Sequence, residues 1–270
     1  MDPAMRQVAK ERPAVVLLHA SASTARQWDA LVERLQPRYR PIAVELRGKD
    51  DAALVAATLE RLGGAHVVGH SYGGAVGMMV ASSRRSPLVR SLTAFEPVLL
   101  RALLADPASG REIQDVALVA ANMRSHLDRG ERQRAAQLFI EYWSGPDSWR
   151  SLPPNRRAAF AMRVEEVLAN FDTLFHTPFD APALARLRRP MLFLQGARTV
   201  ATTRRLAMLL GDAFPAARHE VMTEMGHMGP LTHAERVNER IEQFLDWCEA
   251  GARRPVVFVG PRHRAAGGTH

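Results

Sequence analysis

The first readable pattern in the chain is the apolar run Ala14-Val15-Val16-Leu17-Leu18, which ends at His19. A run this short and rich in β-branched residues reads as a strand. Its lack of polar alternation predicts burial on both faces, as in a central parallel strand. Ala20 to Thr24 form a small-residue loop, and Thr24 is expected to cap a helix carrying Trp28, Leu31, Val32 and Leu35 at helical spacing until Pro37 stops it. Pro41 to Leu46 predicts a second strand. Asp50 or Asp51 is expected to cap a helix with Val55, Leu59 and Leu62 on one face, and Gly63-Gly64 to end it. His66 to His70 and Ser91 to Glu96 read as further strands, with the helix-compatible stretch Ala75 to Ser83 between them. Strand and helix alternating at this spacing predict an α/β fold, a parallel sheet covered by helices on both faces.

The rhythm breaks after Pro97. From Val98 to about Arg188 only helical patterns occur, such as Ile113, Val116 and Ala120 with Leu127, or Phe160, Val164 and Leu168 with Phe171. Strands resume at Met191 to Gln195 and His219 to Met222. A helix from Thr203 to Leu210, stopped by Gly211, lies between them. The loop Glu224 to Pro230 leads into a last helix, about Ala234 to Cys248, with Val237, Ile241, Phe244 and Leu245 on one face. The expected organisation is an α/β core formed by 1–97 and 189–250, an all-helical cap at 98–188, and a C-terminal tail at 251–270 holding the apolar run Val256 to Val259.

Composition narrows the classes. A chain of 270 residues, 47% hydrophobic, can bury one sizeable core. No apolar run approaches the ~20 residues of a membrane span, and Met1 to Pro13 is charged, without a signal-peptide core. The expectation is a cytoplasmic protein with no membrane partner. The single cysteine, Cys248, excludes an internal disulfide and a cysteine-based zinc site. The net charge is +8, but of 36 basic residues only Lys10 and Lys49 are lysines, which leaves 34 arginines scattered along the chain. With no basic stripe interleaved with aromatics, no nucleic-acid partner is expected.

Chemistry concentrates in Val67-Val68-Gly69-His70-Ser71-Tyr72-Gly73-Gly74, a GxSxG pattern at the end of a strand. It places a serine on a sharp strand-to-helix turn that small neighbours make possible. A serine hydroxyl needs a base, and imidazole is tuned for that near neutral pH. Of the ten histidines, His227 is preferred: it follows the last core strand, at the sheet edge where the serine sits and where open α/β sheets bind ligands. His19 and His70 read as loop-orienting residues, and His126, His176 and His219 as surface or packing residues. His227 and His233 lack the carboxylate company of a metal site, so neither metal nor cofactor is expected.

These residues resemble the α/β-hydrolase family. The marks are His19-Ala20-Ser21, similar to its His-Gly-x oxyanion loop; Glu45-Leu46-Arg47-Gly48, similar to its Asp-x-Arg-Gly turn; the elbow around Ser71; the helical stretch after a strand; and Gly226-His227 before the last helix. The likeness covers about Val15 to Trp247, with departures at Ala20 and Glu45. It implies Ser71 as nucleophile, His227 as base, and the backbone N–H groups of Tyr72 and Ser21 as an oxyanion hole. The family's commonest acid is an aspartate three residues past the glycine that ends the fifth core strand. Here that position is Thr199, and no Asp or Glu lies between Gly196 and Gly211. The family's alternative acid position corresponds to Glu96; the other readings are that Glu96 only anchors the cap and that Asp180, Glu224 or no acid at all orients His227. The resemblance thus implies a carboxylesterase-like serine hydrolase. It would use a Ser-His-Glu triad and an acyl-enzyme on a small apolar acyl substrate and water. Trp143, Trp149, Phe160 and Met162 would shape the choice of substrate. A carbon–carbon bond hydrolase, another cofactor-free enzyme on the same triad, and a non-catalytic ligand-binding member of the fold are the alternatives.

Overall fold

The computed structural model describes residues 12–177, 182 and 189–251. Its centre is a sheet of six parallel strands: β1 (Ala14–Leu18), β2 (Arg40–Val44), β3 (Ala65–His70), β4 (Val89–Phe95), β5 (Met191–Gly196) and β6 (Arg218–Met222), in spatial order β2-β1-β3-β4-β5-β6. From β1 the chain moves outward to β2, returns to β3 on the other side of β1, and then continues outward to β6. Where that direction reverses, the loops leaving β1 and β3 diverge at the carboxyl edge and open a crevice.

Both faces of the central strands are covered, which explains their unbroken apolar sequence. Val15 and Leu17 pack with Val68, Leu192 and Leu194 against Leu31 and Leu35 of α1 (Asp29–Leu35) and Val237, Ile241 and Phe244 of the C-terminal helix. Val16 and Leu18 face the other way with Val67 and Leu92. There they meet Val55 and Leu59 of α2 (Asp51–Leu62) and the wholly buried α3 (Tyr72–Ala81).

Between β4 and β5 run α4 (Leu100–Ala105), α5 (Gly110–Asp128), α6 (Arg132–Ser144), α7 (Pro154–Ala161) and α8 (Val164–His176), with no strand among the described residues. Their apolar faces, including Val116, Met123, Trp143 and Phe171, join the same core as α3. After β5 come α9 (Ala201–Ala213), the single turn α10 (Gly229–Thr232) and α11 (Ala234–Glu249). No described helix is long and apolar enough to cross a membrane. The run Val256 to Val259 and Asp180 lie outside the described residues.

Three local expectations are corrected. Thr24 makes no side-chain cap bond, and a 3-10 turn, Ala25–Trp28, precedes α1. The tertiary partner Glu45 decides this geometry, because its Oε2 accepts the Ala25 N–H at 2.8 Å. Neither aspartate caps α2 in the expected way: Asp50 makes no cap bond, and Asp51 turns its carboxylate back onto the N–H groups of Arg47 and Gly48 at 2.8 and 2.7 Å. Gly63 does end that helix, in the left-handed region at φ 65°. Gly211 stops nothing, since α9 continues to Ala213.

Candidate active site

Ser71 lies between β3 and α3 at φ 53° and ψ −115°, a conformation that L-residues adopt only under constraint. The constraint is a close approach of backbones. A Cβ on Gly69 would stand 2.6 Å from the Gly73 carbonyl, and one on Gly73 would collide with the backbone of Leu18 and His19. The Ser71 N–H donates to the Phe95 carbonyl at 3.0 Å, which ties the elbow to the end of β4. Behind the elbow, the Tyr72 hydroxyl donates to the Asp51 carboxylate at 2.8 Å, fixing the start of α3 to the β2–α2 loop. Burial and the Asp51 charge push that phenol well above its ordinary pKa.

His227, from the loop after β6, places Nε2 3.0 Å from Ser71 Oγ and Nδ1 2.7 Å from Glu96 Oε2. The backbone of Glu96 has a positive φ of 43°, and both its side chain and that of His227 are almost fully buried. The carboxylate is held from three directions. Oε1 accepts the Gly196 N–H at 2.7 Å, and Oε2 accepts the Thr199 hydroxyl at 2.6 Å as well as the imidazole. Thr203 lies 2.6 Å from Thr199. The Thr199 proton is committed to Glu96, and the Thr203 hydroxyl also reaches the Val200 carbonyl at 3.1 Å.

A second set of bonds fixes the surrounding loops. His70 is wholly buried; its Nε2–H donates to the His227 carbonyl at 2.8 Å, and its Nδ1 accepts from the Gln27 amide at 3.2 Å. Gln27 also accepts the Ala20 N–H through Oε1 at 3.1 Å. Burial, and then the neighbouring His227, hold the His70 pKa well below its ordinary value, so the ring is a neutral spacer between the two loops. His19 accepts the Leu46 N–H at 2.9 Å, and burial lowers its pKa too.

With the Ala20 N–H taken by Gln27, the next N–H in that loop is that of Ser21. Its hydroxyl accepts from Asn170 of α8 at 2.9 Å. Tyr72 opens α3, where the first N–H groups have no intrahelical acceptor. Both residues flank Ser71 at the reversal point of the sheet. The Trp143 indole stacks on the His227 ring, with centroids 4.6 Å apart and planes at 29°. Ser71 and His227 lie at the base of a cleft of about 150 Å³, walled by Phe139, Ile140, Trp143 and Phe160.

Five of the expected residues come together at one edge, Ser71, His227 and Glu96 in line with Ser21 and Tyr72 beside them, whereas Met162 is exposed and Trp149 is buried away from the cleft lining. Glu224 does not join; it is exposed and lies 3.6 Å from Arg236. His233 bonds to Thr232, and no group of three metal-ligating side chains occurs among the described residues. Sequence reasoning missed Gln27, the Thr199 bond and the Trp143 stack. Only Thr199 left a signal, as the residue filling an expected acid position.

A strained serine, an imidazole and a buried carboxylate at the carboxyl edge of an open parallel sheet define a class of α/β proteins that carry their chemistry on the loops. Within that class, residues 15–240 match the model of the alpha/beta hydrolase family, and the chain belongs to that family. It is 27% identical to the pimeloyl-[acyl-carrier protein] methyl ester esterase of Vibrio vulnificus, over 88% of this chain and 96% of that protein. The enol-lactonase from Burkholderia xenovorans has the same fold, with a TM-score of 0.68 at 16% identity over 87% of this chain and 92% of that one. So does the carboxylesterase CesB from Bacillus subtilis, with a TM-score of 0.63 at 19% identity over 87% and 84%.

Proposed function

We propose that this protein is a serine hydrolase that cleaves an ester or related acyl bond through a triad of Ser71, His227 and Glu96. One observation carries the reading: the unbroken hydrogen-bonded line from Ser71 Oγ through both imidazole nitrogens to Glu96. The name of the Vibrio vulnificus relative, a methyl ester esterase, supports an ester as the scissile group.

His227 Nε2 takes the Ser71 proton as Oγ bonds to the substrate carbonyl carbon. The carbonyl π pair moves to oxygen, which is held by the N–H groups of Tyr72 and Ser21. Such a donor is typically worth ~2.7 to 4 kcal/mol of barrier. The imidazolium returns the proton to the leaving oxygen, and the acyl–oxygen bond breaks. Water then attacks the acyl-enzyme, with His227 again as base. Glu96 fixes the tautomer with Nδ1 protonated and stabilises the imidazolium, while Thr199, Gly196 and the Trp143 ring fix the geometry.

Initial rates on methyl and p-nitrophenyl esters of increasing chain length, beside a model diketone, test the reading. Ester turnover that falls by at least about 10³ in Ser71→Ala is expected. Retained turnover would remove Ser71 from the chemistry, and cleavage of the diketone alone would move the activity to a carbon–carbon bond.

A further inference from the structure

Resting on the hydrolase reading, we infer that the substrate is an ester bearing a carboxylate remote from the scissile bond, and that Arg156 at the cleft rim binds it. The cleft above Ser71 is apolar along its walls but carries two guanidinium groups, those of Arg156 and Arg163, and no carboxylate lines it among the described residues.

The two arginines differ in their company. Arg163 is spent on the protein itself: it pairs with Glu45 at 3.2 Å and Glu166 at 3.7 Å, and donates to the Ser23 carbonyl. It joins the start of α8 to the oxyanion loop. Arg156, on the exposed face of α7, has no carboxylate within ion-pair distance among the described residues, although it too borders the cleft. An unpaired guanidinium beside an apolar channel that ends at a nucleophile suits one kind of ligand: an alkyl chain with an ester at one end and an anion at the other. The neighbouring Arg163 faces two carboxylates, Glu45 and Glu166, and so leaves Arg156 as the guanidinium of the rim that is open to an anion. A neutral ester would leave the Arg156 charge unused.

The carboxylate can sit on the acyl or the alcohol portion, and matched pairs separate these sources. Monomethyl adipate against methyl hexanoate shares a six-carbon acyl chain and adds only the terminal carboxylate. The butyryl ester of 3-hydroxypropanoate against propyl butyrate does the same on the alcohol side. The kcat/KM ratio of anionic to neutral ester is read by proton release in the wild-type enzyme, Arg156→Lys, Arg156→Gln and Arg156→Glu. A ratio of about five to ten in one pair is expected. It should persist in part in the lysine variant, approach one in the glutamine variant and fall below one in the glutamate variant. It should also shrink at high salt. A wild-type ratio near one in both pairs, or a ratio indifferent to charge reversal, overturns the assignment. If no ester of any kind is cleaved, the hydrolase reading has failed, and the anion site is then read by calorimetry. Adipate binding to Ser71→Ala at least fivefold tighter than to Ser71→Ala/Arg156→Glu supports the site, and equal binding overturns it.

Discussion

Glu96 gathers three donors, and Thr199, standing where the resemblance would put an aspartate, supplies one of them. A threonine there does not replace the acid; it holds the acid that comes from the neighbouring strand. Glu96→Gln is therefore expected to lower kcat by about 10³ to 10⁴, because an amide can impose the wrong imidazole tautomer. Thr199→Ala is expected to lower kcat about tenfold through loss of a hydrogen bond to a charged group, and Thr199→Ser to keep most of it. Steady-state rates across pH separate this from a packing defect, since only a displaced Glu96 also moves the acid limb of kcat/KM. The positions of Ser71, His227 and Glu96 were legible in the sequence because a motif, a loop and a strand end mark them. Gln27 and the stacking of Trp143 on His227 were not, because both depend on side-chain contacts between segments far apart in the chain.

The strands were legible because burial on both faces removes polar alternation, and the helices because their apolar faces keep a period near 3.6. Helix starts were less legible, since tertiary partners decide them. Glu45 takes the Ala25 N–H ahead of α1, and Asp51 serves the loop before α2. The elbow is the element on which the site depends, because β1 and α3 touch through Gly73 without room for a methyl group. Gly73→Ala is expected to destabilise the fold by about 1–3 kcal/mol or more and to displace Ser71. A urea midpoint within error of wild type, with normal ester turnover, would contradict the close approach. On α6, Trp143→Ala removes the ring that covers His227. It is expected to reduce kcat more for short esters than for long ones, whose chains can refill the space.

For the whole molecule, three buried histidines set the response to acid. His19, His66 and His70 all have pKa values held below the ordinary 6.5 by burial. His66 does so between Ser91 at 2.7 Å and Glu249 at 3.0 Å, where the end of α11 meets the sheet. The unfolded chain therefore takes up protons that the folded chain resists as pH drops below 6.5. Stability is full above that value and declines as pH falls toward the folded-state values, by up to about 1.4 kcal/mol per pH unit for each proton. Urea midpoints at pH 7.5, 6.0 and 5.0 should decrease in that order; a flat or rising series would show these rings already charged in the fold. At this scale the sequence predicted a parallel sheet with a helical insertion, but not the strand order whose reversal between β1 and β3 makes the crevice, because order depends on long-range pairing. The proposed activity depends on Ser71 being activated by His227. Treating the protein with a fluorophosphonate and mapping the adduct by mass spectrometry tests this most directly. One adduct on Ser71, formed at least 100-fold more slowly in His227→Ala, is the expected result, whereas an unmodified Ser71 at saturating reagent or equal labelling of the variant would contradict it.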